Sequence, residues 1–362
     1  MRFQLIGGFL GSGKTTTIAR LAQHYRDAGQ RVAIVTNDQA DDLVDTHTLQ
    51  SLGGPVGQVA GSCFCCDFNG LMAAIDAFDA GEAGTPDVVL AEPVGSCTDL
   101  VATVVRPMLE RHGDRVSIAP YPVLLKPAHA RQALLEEPGE LTVGAAYIYR
   151  KQLEEADAVV INRLDELAPR EGEHLADTVR RALPRATVLK ASAKTGEGFD
   201  ALVELLTQQG AFAGPAMDVD YELYAQGEAD LGWLNTTAVL KGDGESSLDQ
   251  VLVDAVERMR AAFADASAEV THVKLLGQQG DAQAVVNVIH TRGTVTLSKP
   301  SNAPAAGARL VLNGRVGIAP GALEAISREA LHAAAEAAGL TVDLGPVACF
   351  RPAPPQPTYR LT

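Results

Sequence analysis

The chain of 362 residues carries 45 acidic against 30 basic side chains, for a formal net charge of −15, and 46% of it is hydrophobic. That length favours two domains, each able to bury a core, and the acidity excludes a nucleic-acid binder, because a phosphate backbone demands a basic face. The expected partners are proteins and small molecules.

The opening MRFQLIGGFL holds one basic residue and an apolar run broken by glycines. It reads as neither a secretory signal nor a membrane span, so the expected compartment is the cytoplasm, with no membrane partner. In that reducing compartment the five cysteines, an odd number, point to metal ligation or redox chemistry rather than disulfides. RFQLI suits a buried strand and TIARLAQHYRDAG a helix, with Ile18, Leu21, Ala22 and Tyr25 at helical spacing. Between them Gly8, Gly13, Lys14 and Thr15 satisfy GxxxxGK[ST], the phosphate-binding P-loop. The glycines let backbone N–H groups of Gly11, Ser12, Gly13, Lys14, Thr15 and Thr16 converge on phosphate oxygens at a helix N-terminus. Lys14 reaches the β- and γ-phosphates and Thr15 can ligate Mg²⁺, so a nucleoside triphosphate is the expected ligand.

RVAIVTND reads as a second strand, which delivers Asn37 and Asp38 to its C-terminal edge. GSCFCCDFNG follows, with thiols at Cys63, Cys65 and Cys66 that can point into one small volume if the backbone turns, and Gly61 and Gly70 flank the segment. Three sulfurs make an incomplete tetrahedron, which suits a metal that must later leave. A fourth ligand could come from Cys97, His47, solvent or a second subunit. Soft thiolates favour zinc or Cu(I), and a redox pair or an inert buried cluster are the competing readings. PDVVLAEPVGS reads as a third strand ending in Glu92-Pro93-Val94-Gly95. A carboxylate there, beside a P-loop, suits Mg²⁺ and its waters, and Gly95 can present its N–H to the γ-phosphate.

DAVVINRLDEL and ATVLKASAKTGEGFDAL are further apolar runs, ending in Asn162-Arg163-Leu164-Asp165 and Ser192-Ala193-Lys194. Together they resemble the guanine-reading NKxD and SAK elements of GTPases, with arginine at the usual lysine position. A carboxylate at Asp165 accepts from guanine N1–H and the 2-amino group, which adenine cannot offer as a pair. Residues 213–232 mix Gly, Pro and acid without period and read as a linker. Strand, helix, several strands, helix and strand then make a small α+β domain over 233–345, where His272 and His290 read as ordinary half-buried histidines. A Pro-rich tail, 346–362, closes the chain as an extended surface segment.

The P-loop, the glutamate of an ExxG element, NxxD and the Cys-x-Cys-Cys segment together resemble the CobW/HypB/UreG GTPases, nearest to the CobW branch. The resemblance covers residues 1 to about 210 and implies an α/β P-loop NTPase domain, 1–212, with a mostly parallel sheet, followed by a smaller α+β C-terminal domain. It implies GTP/GDP as ligand and a GTPase in which Lys14, Glu92 and Asp38 carry catalysis. Zn²⁺ or Co²⁺ is the implied cargo on the thiols, and a client metalloenzyme receives it. A nucleotide- or metal-dependent homodimer is expected. The alternative it leaves open is a GTPase chaperone of a cobalamin-dependent or methyl-transferring enzyme.

Overall fold

We describe residues 1–38, 49, 53–81, 84–135, 137, 139, 141–210, 212, 214–243 and 246–362 in a computed structural model of the chain. They fall into two units, the first running up to Gly227 and including Pro354–Thr362, the second spanning Glu228–Ala353.

The first unit is built on parallel strands: β1 (Arg2–Leu5), β2 (Gly7–Gly8), β3 (Val32–Asp38), β4 (Val56–Ala60), β5 (Val88–Glu92), β6 (Ser117–Ile118), β7 (Pro122–Leu125), β8 (Ala158–Ile161) and β9 (Thr187–Lys190). They pair in the orders β4-β3-β5-β1-β6 and β2-β7-β8-β9, every pairing parallel, and Ile6 alone separates β1 from β2. Parallel neighbours need crossovers, here α1 (Lys14–Asp27), α2 (Phe68–Asp79), α3 (Arg106–His112, after a π-helical turn at Val101–Val105), α4 (Pro127–Leu135), α5 (Val143–Glu154) and α6 (Pro169–Ala182), while α7 (Phe199–Thr207) and α8 (Tyr221–Ala229) follow the last strand. VVLAE of β5 and AVVI of β8 are buried throughout, as strands covered on both faces must be. Ile18, Leu21, Ala22 and Tyr25 form the buried face of α1, as their spacing predicts.

Two stretches differ from the sequence reading. VGQVA pairs beside β3 as the sheet's outermost strand β4 and runs directly into the cysteine segment; its glycine and short alternation hide it as a strand. The stretch expected as linker carries α8, whose Tyr224 is buried and whose Gly227 lies against α5: a Cβ there would lie 2.5 Å from the Gly144 backbone.

The second unit is a six-stranded antiparallel sheet of β10 (Gly232–Lys241), β11 (Val270–Gln279), β12 (Ala282–Val288), β13 (Thr296–Lys299), β14 (Arg309–Val316) and β15 (Thr341–Phe350), in the order β13-β12-β11-β14-β10-β15. Helices α9 (Leu248–Asp265) and α10 (Pro320–Ala337) pack on it and on each other around Leu252, Val256, Phe263 and Leu331. Among the described residues no helix is long and apolar enough to cross a membrane.

Candidate functional site: a phosphate loop beside a thiol cluster

Gly13 is the N-cap of α1 at φ 94°, a left-handed conformation, and an added Cβ would strike Asn162 Nδ2, so the turn into the helix requires glycine. Lys14 opens the helix, its Nζ donating to the Gly8 carbonyl at 2.8 Å. The Thr15 hydroxyl donates to Glu92 Oε1 at 3.0 Å, so the first turn of α1 meets the end of β5. Gly11 has φ 75°, Ser12 is fully buried, and Thr16 is exposed on the first turn. Gly95 lies against the same loop: a Cβ there would come within 2.7 Å of Leu10 Cδ2 and 3.0 Å of Lys14 Nζ. A helix N-terminus and a buried ammonium together make an anion-binding corner.

Behind the corner, Asn162 ties two loops together. Its Nδ2 donates to the Ser12 carbonyl at 2.7 Å, and its Oδ1 accepts from Ala193 N at 3.0 Å. Asp165 Oδ1 accepts from Ser192 Oγ at 2.6 Å, and Lys194 Nζ stands 3.9 Å from Asp165 Oδ2. Arg20 of α1 holds this loop through the Ala193 and Lys194 carbonyls at 2.8 and 2.9 Å. Arg163, at φ 61°, donates to Glu166 at 2.8 Å and to the Gly11 carbonyl at 3.4 Å, so its fork spans from the asparagine-aspartate element to the phosphate loop.

The thiol segment is wound by Asn37 at the end of β3. Its Nδ2 donates to the Val59 and Ser62 carbonyls at 3.0 and 2.6 Å, and its Oδ1 accepts from Phe64 N at 2.8 Å. The Cys63 carbonyl accepts from Cys66 N and Asp67 N at 3.0 and 2.8 Å, turning the chain into α2, which Asp67 caps through Gly70 N at 2.8 Å. Gly61 uses its freedom at φ 80°, whereas Gly70 is helical and instead leaves room for the Asp67 carboxylate. Cys63 and Cys65 are buried, Cys66 half-buried, and their three sulfurs lie within 4.8 Å of one another. Cys63 to Cys65 is 2.8 Å and Cys65 to Cys66 is 3.8 Å. Hydrogen bonds from Cys65, Cys66 and Cys97 favour the Cys63 thiolate and pull its pKa below the ordinary range. The same interaction pushes Cys65 upward and Cys66 up to about 11.

The turn after β5 is held from α5. Gln152 Nε2 donates to the carbonyls of Gly95 at 2.9 Å and Cys97 at 2.8 Å. The buried Glu155 carboxyl accepts from Val101 N at 3.0 Å and Thr98 Oγ1 at 3.3 Å, and burial pushes its pKa up to about 8. Asp99, left-handed at φ 61° and 1% exposed, accepts from Tyr221 OH at 2.9 Å and Arg360 Nε at 2.7 Å. Arg360 belongs to the terminal segment, which lies over the thiols. There Thr358 N donates to the Cys65 carbonyl and Thr358 Oγ1 to the Cys66 carbonyl, both at 2.8 Å, while Gln356 N reaches Cys66 Sγ at 3.1 Å. The Tyr359 ring meets Phe68 edge-on, centroids 5.5 Å apart, and carries the Arg111 guanidinium 4.0 Å above it.

The expected residues thus gather in three groups: Lys14, Thr15, Glu92 and Gly95; Asn162, Asp165, Ser192, Ala193 and Lys194; and Cys63, Cys65 and Cys66. The backbone of Asp38 ends β3, but its side chain and all of His47 lie outside the described residues. His272 lies on β11 and His290 just past β12, both half-buried; neither joins a metal-capable group, the three cysteines being the one such group among the described residues. Sequence reasoning missed Arg20, Gln152, Glu155 and the terminal segment. For Gln152 and Glu155 a signal existed: they stand four and seven positions after Ile148, on the apolar face of α5, where a polar residue is expected to have buried partners.

Residues 3–190 match the family described as CobW/HypB/UreG, nucleotide-binding domain. The zinc chaperone YeiR of Escherichia coli K12 is 30% identical over 174 residues, 46% of this chain and 48% of its own, so the chain spans about half the length of this curated relative. Among solved structures, the hydrogenase maturation factor HypB of Archaeoglobus fulgidus is 20% identical, with a TM-score of 0.41 over 57% of this chain and 88% of that one. The Zn(II)-bound YjiA GTPase of E. coli is 16% identical, with a TM-score of 0.39 over 91% and 98%.

Two outcomes are expected from this geometry. Because the folded-state pKa of Glu155 is raised, its contribution to stability is full below the unfolded-state value, near 4.5, and is lost as pH rises to about 8. Glu155→Gln keeps an acceptor without the charge, so its unfolding free energy relative to the wild type should rise over that window by up to a few kcal/mol. Parallel pH profiles in urea titrations would refute it. Secondly, combining Thr358→Val with Arg360→Ala should release the terminal segment and speed iodoacetamide alkylation of Cys66 several-fold; an unchanged rate would show that the segment does not shield the thiol.

Proposed function

The chain belongs to the CobW/HypB/UreG family, and from that premise we propose that it is a GTP-hydrolysing metallochaperone whose cargo is held by Cys63, Cys65 and Cys66. One observation carries the reading: three clustered thiols hang from Asn37 on β3, and β3 pairs directly with β5, whose Glu92 touches Thr15 of the phosphate loop. Nucleotide and cargo sites are therefore built on neighbouring strands.

In this reading Gly11, Ser12, Gly13, Lys14, Thr15 and Thr16 cradle the phosphates, with Lys14 on the β- and γ-phosphates and the Gly95 N–H facing the γ-phosphate. Asp165 reads the guanine edge, and Asn162, Ser192, Ala193 and Lys194 hold it in place. The Thr15 hydroxyl and Glu92 carboxylate, 3.0 Å apart at the end of β5, offer the hard oxygen donors that suit Mg²⁺. When bound there, Mg²⁺ offsets the charge developing on the phosphate oxygens. Asp38 is the carboxylate we assign to orienting the attacking water. Soft thiolates select Zn²⁺ over Co²⁺ as cargo. Cysteine thiols must shed protons to bind it, so uptake strengthens as pH rises. The cargo passes to a client metalloenzyme in the cytoplasm, and nucleotide or metal brings two copies of the chain together.

Guanine reading is tested by Asp165→Asn, which replaces a two-acceptor edge with one acceptor and one donor. The variant should lose GTP affinity and gain xanthosine triphosphate affinity, whereas equal turnover of ATP and GTP by the wild type would defeat the assignment. For the cargo site, Zn²⁺ affinity is compared with GDP and with a non-hydrolysable GTP analogue, in the wild type and in a variant with Cys63, Cys65 and Cys66 all changed to serine. High-affinity binding should vanish in the variant while GTP binding persists. Wild-type affinity should differ between nucleotides, a tenfold difference corresponding to about 1.4 kcal/mol of coupling. A triple variant that binds zinc like the wild type overturns the cargo site.

A further inference from the structure

We propose that the terminal segment, residues 356–361, is part of the cargo site: a strap whose Gln356 N–H holds the Cys66 sulfur and sets how fast a bound zinc-class ion leaves. This rests on the reading of Cys63, Cys65 and Cys66 as a metal site and deepens it.

Cys63 and Cys65 are 3% and 1% exposed, and Cys66 is the half-buried member of the three. An ion held by all of them therefore enters and leaves on the Cys66 side, which is the side the terminal segment covers. Residues 354–357 read Pro-Pro-Gln-Pro, so Gln356 carries the one backbone N–H among the four, and that N–H meets Cys66 Sγ at 3.1 Å. The contact is made by the backbone, the residue being otherwise exposed. A thiolate bound to a metal keeps lone pairs, and a donor set against one of them orients the sulfur and offsets its charge.

The residues that follow hold this donor in place. Thr358 N donates to the Cys65 carbonyl and Thr358 Oγ1 to the Cys66 carbonyl, both at 2.8 Å, and the same hydroxyl accepts from Phe68 N at 3.4 Å. One threonine thus bonds two of the cysteines and the first residue of α2. Further on, Arg360 donates to Asp99 Oδ2 at 2.7 Å and to the Met217 carbonyl at 2.8 Å, and Leu361 N donates to the Ala102 carbonyl at 2.9 Å. Asp99 is 1% exposed, and withdrawing the partner of a buried charge is strongly disfavoured, so Arg360 is a firm anchor. A terminal stretch with no ladder of its own stays in one place only when bonds of this kind tie it down. Asp99 also stands four residues after Gly95, so the far anchor of the strap lies on the turn that packs against Lys14.

The test is the rate of zinc loss from the full chain, loaded with one equivalent of Zn²⁺ and chased with a chromophoric chelator. Gln356→Pro deletes the N–H in a stretch that is proline on both sides, and should speed loss by at least the roughly tenfold that such a partner is worth to a metal site. Gln356→Ala, which keeps the N–H, should keep the slow rate, and Arg360→Ala should be faster than the wild type. In the Co²⁺-loaded chain the sulfur-to-metal charge-transfer band should move to longer wavelength in Gln356→Pro but not in Gln356→Ala, because a lost hydrogen bond raises the energy of the sulfur electrons. A strap that served only as a cover would leave that band in place. An unshifted band, or Gln356→Pro losing zinc no faster than the wild type or Gln356→Ala, overturns the role of the strap while leaving the three-cysteine site standing. Failure of the wild type to bind zinc, or binding that survives the change of all three cysteines to serine, overturns both. Should Gln356→Pro not fold, Arg360→Ala decides: faster loss with a shifted band supports the proposal, and wild-type behaviour ends it.

Discussion

The parallel register of the first unit imposes a single direction on everything functional in it. Because β1, β3, β5, β7, β8 and β9 all run the same way, each delivers the loop after its carboxyl end to one rim of the sheet, and each amino end goes to the other. The phosphate loop follows β2, Asn37 lies one residue before the end of β3, Glu92 ends β5, Asn162 follows β8 and Ser192 follows β9. A strand run antiparallel among them would send its own group to the opposite rim. The second unit, antiparallel throughout, has no such rim, and among the described residues its His272 and His290 join no metal-capable group.

Convergence at a rim does not by itself hold loops in place, and three side-chain amides do that here. Asn37, Gln152 and Asn162 are all at most 7% exposed; Asn37 and Asn162 each join two backbone segments, and Gln152 holds two carbonyls of the turn after β5. An amide suits the task because it carries donors and an acceptor on one short rigid plane, without the desolvation cost of a charge. Each bond adds about 1 kcal/mol, but leaving a buried partner unmatched costs about 1–3 kcal/mol, so the amides act chiefly by excluding other loop conformations. Glu155 is the costlier alternative on the same helix face, a carboxyl that burial drives toward its neutral form.

What could be read in advance follows from how local each signal is. Lys14, Thr15 and Gly13 are legible because one short loop must meet phosphate by itself, so its residue types are dictated within eight positions. Asp165 and Ser192 are legible as a spaced pair, and their 2.6 Å hydrogen bond fits that pairing. The thiols announce themselves by density alone. Arg20 and Thr358 could not be found that way, since an arginine on a polar helix face and a threonine in a Pro-rich tail are ordinary in composition. Their partners lie 173 and 292 residues away in sequence. β4 was hidden for a different reason, being a short, glycine-containing edge strand whose alternation is too weak to stand out.

The contact between Gln356 and Cys66 spans 290 positions of chain, and that separation has a consequence for biosynthesis. At roughly 5–20 residues per second, the ribosome needs about 15–60 s to pass from the thiols to the segment that covers them, with the whole of Glu228–Ala353 made in between. Throughout that interval the nascent cluster is open to the pool of free ions and oxidants around it. For the cargo site proposed above, first occupancy is therefore a race between capture and capping, decided by the rate of elongation as much as by affinity.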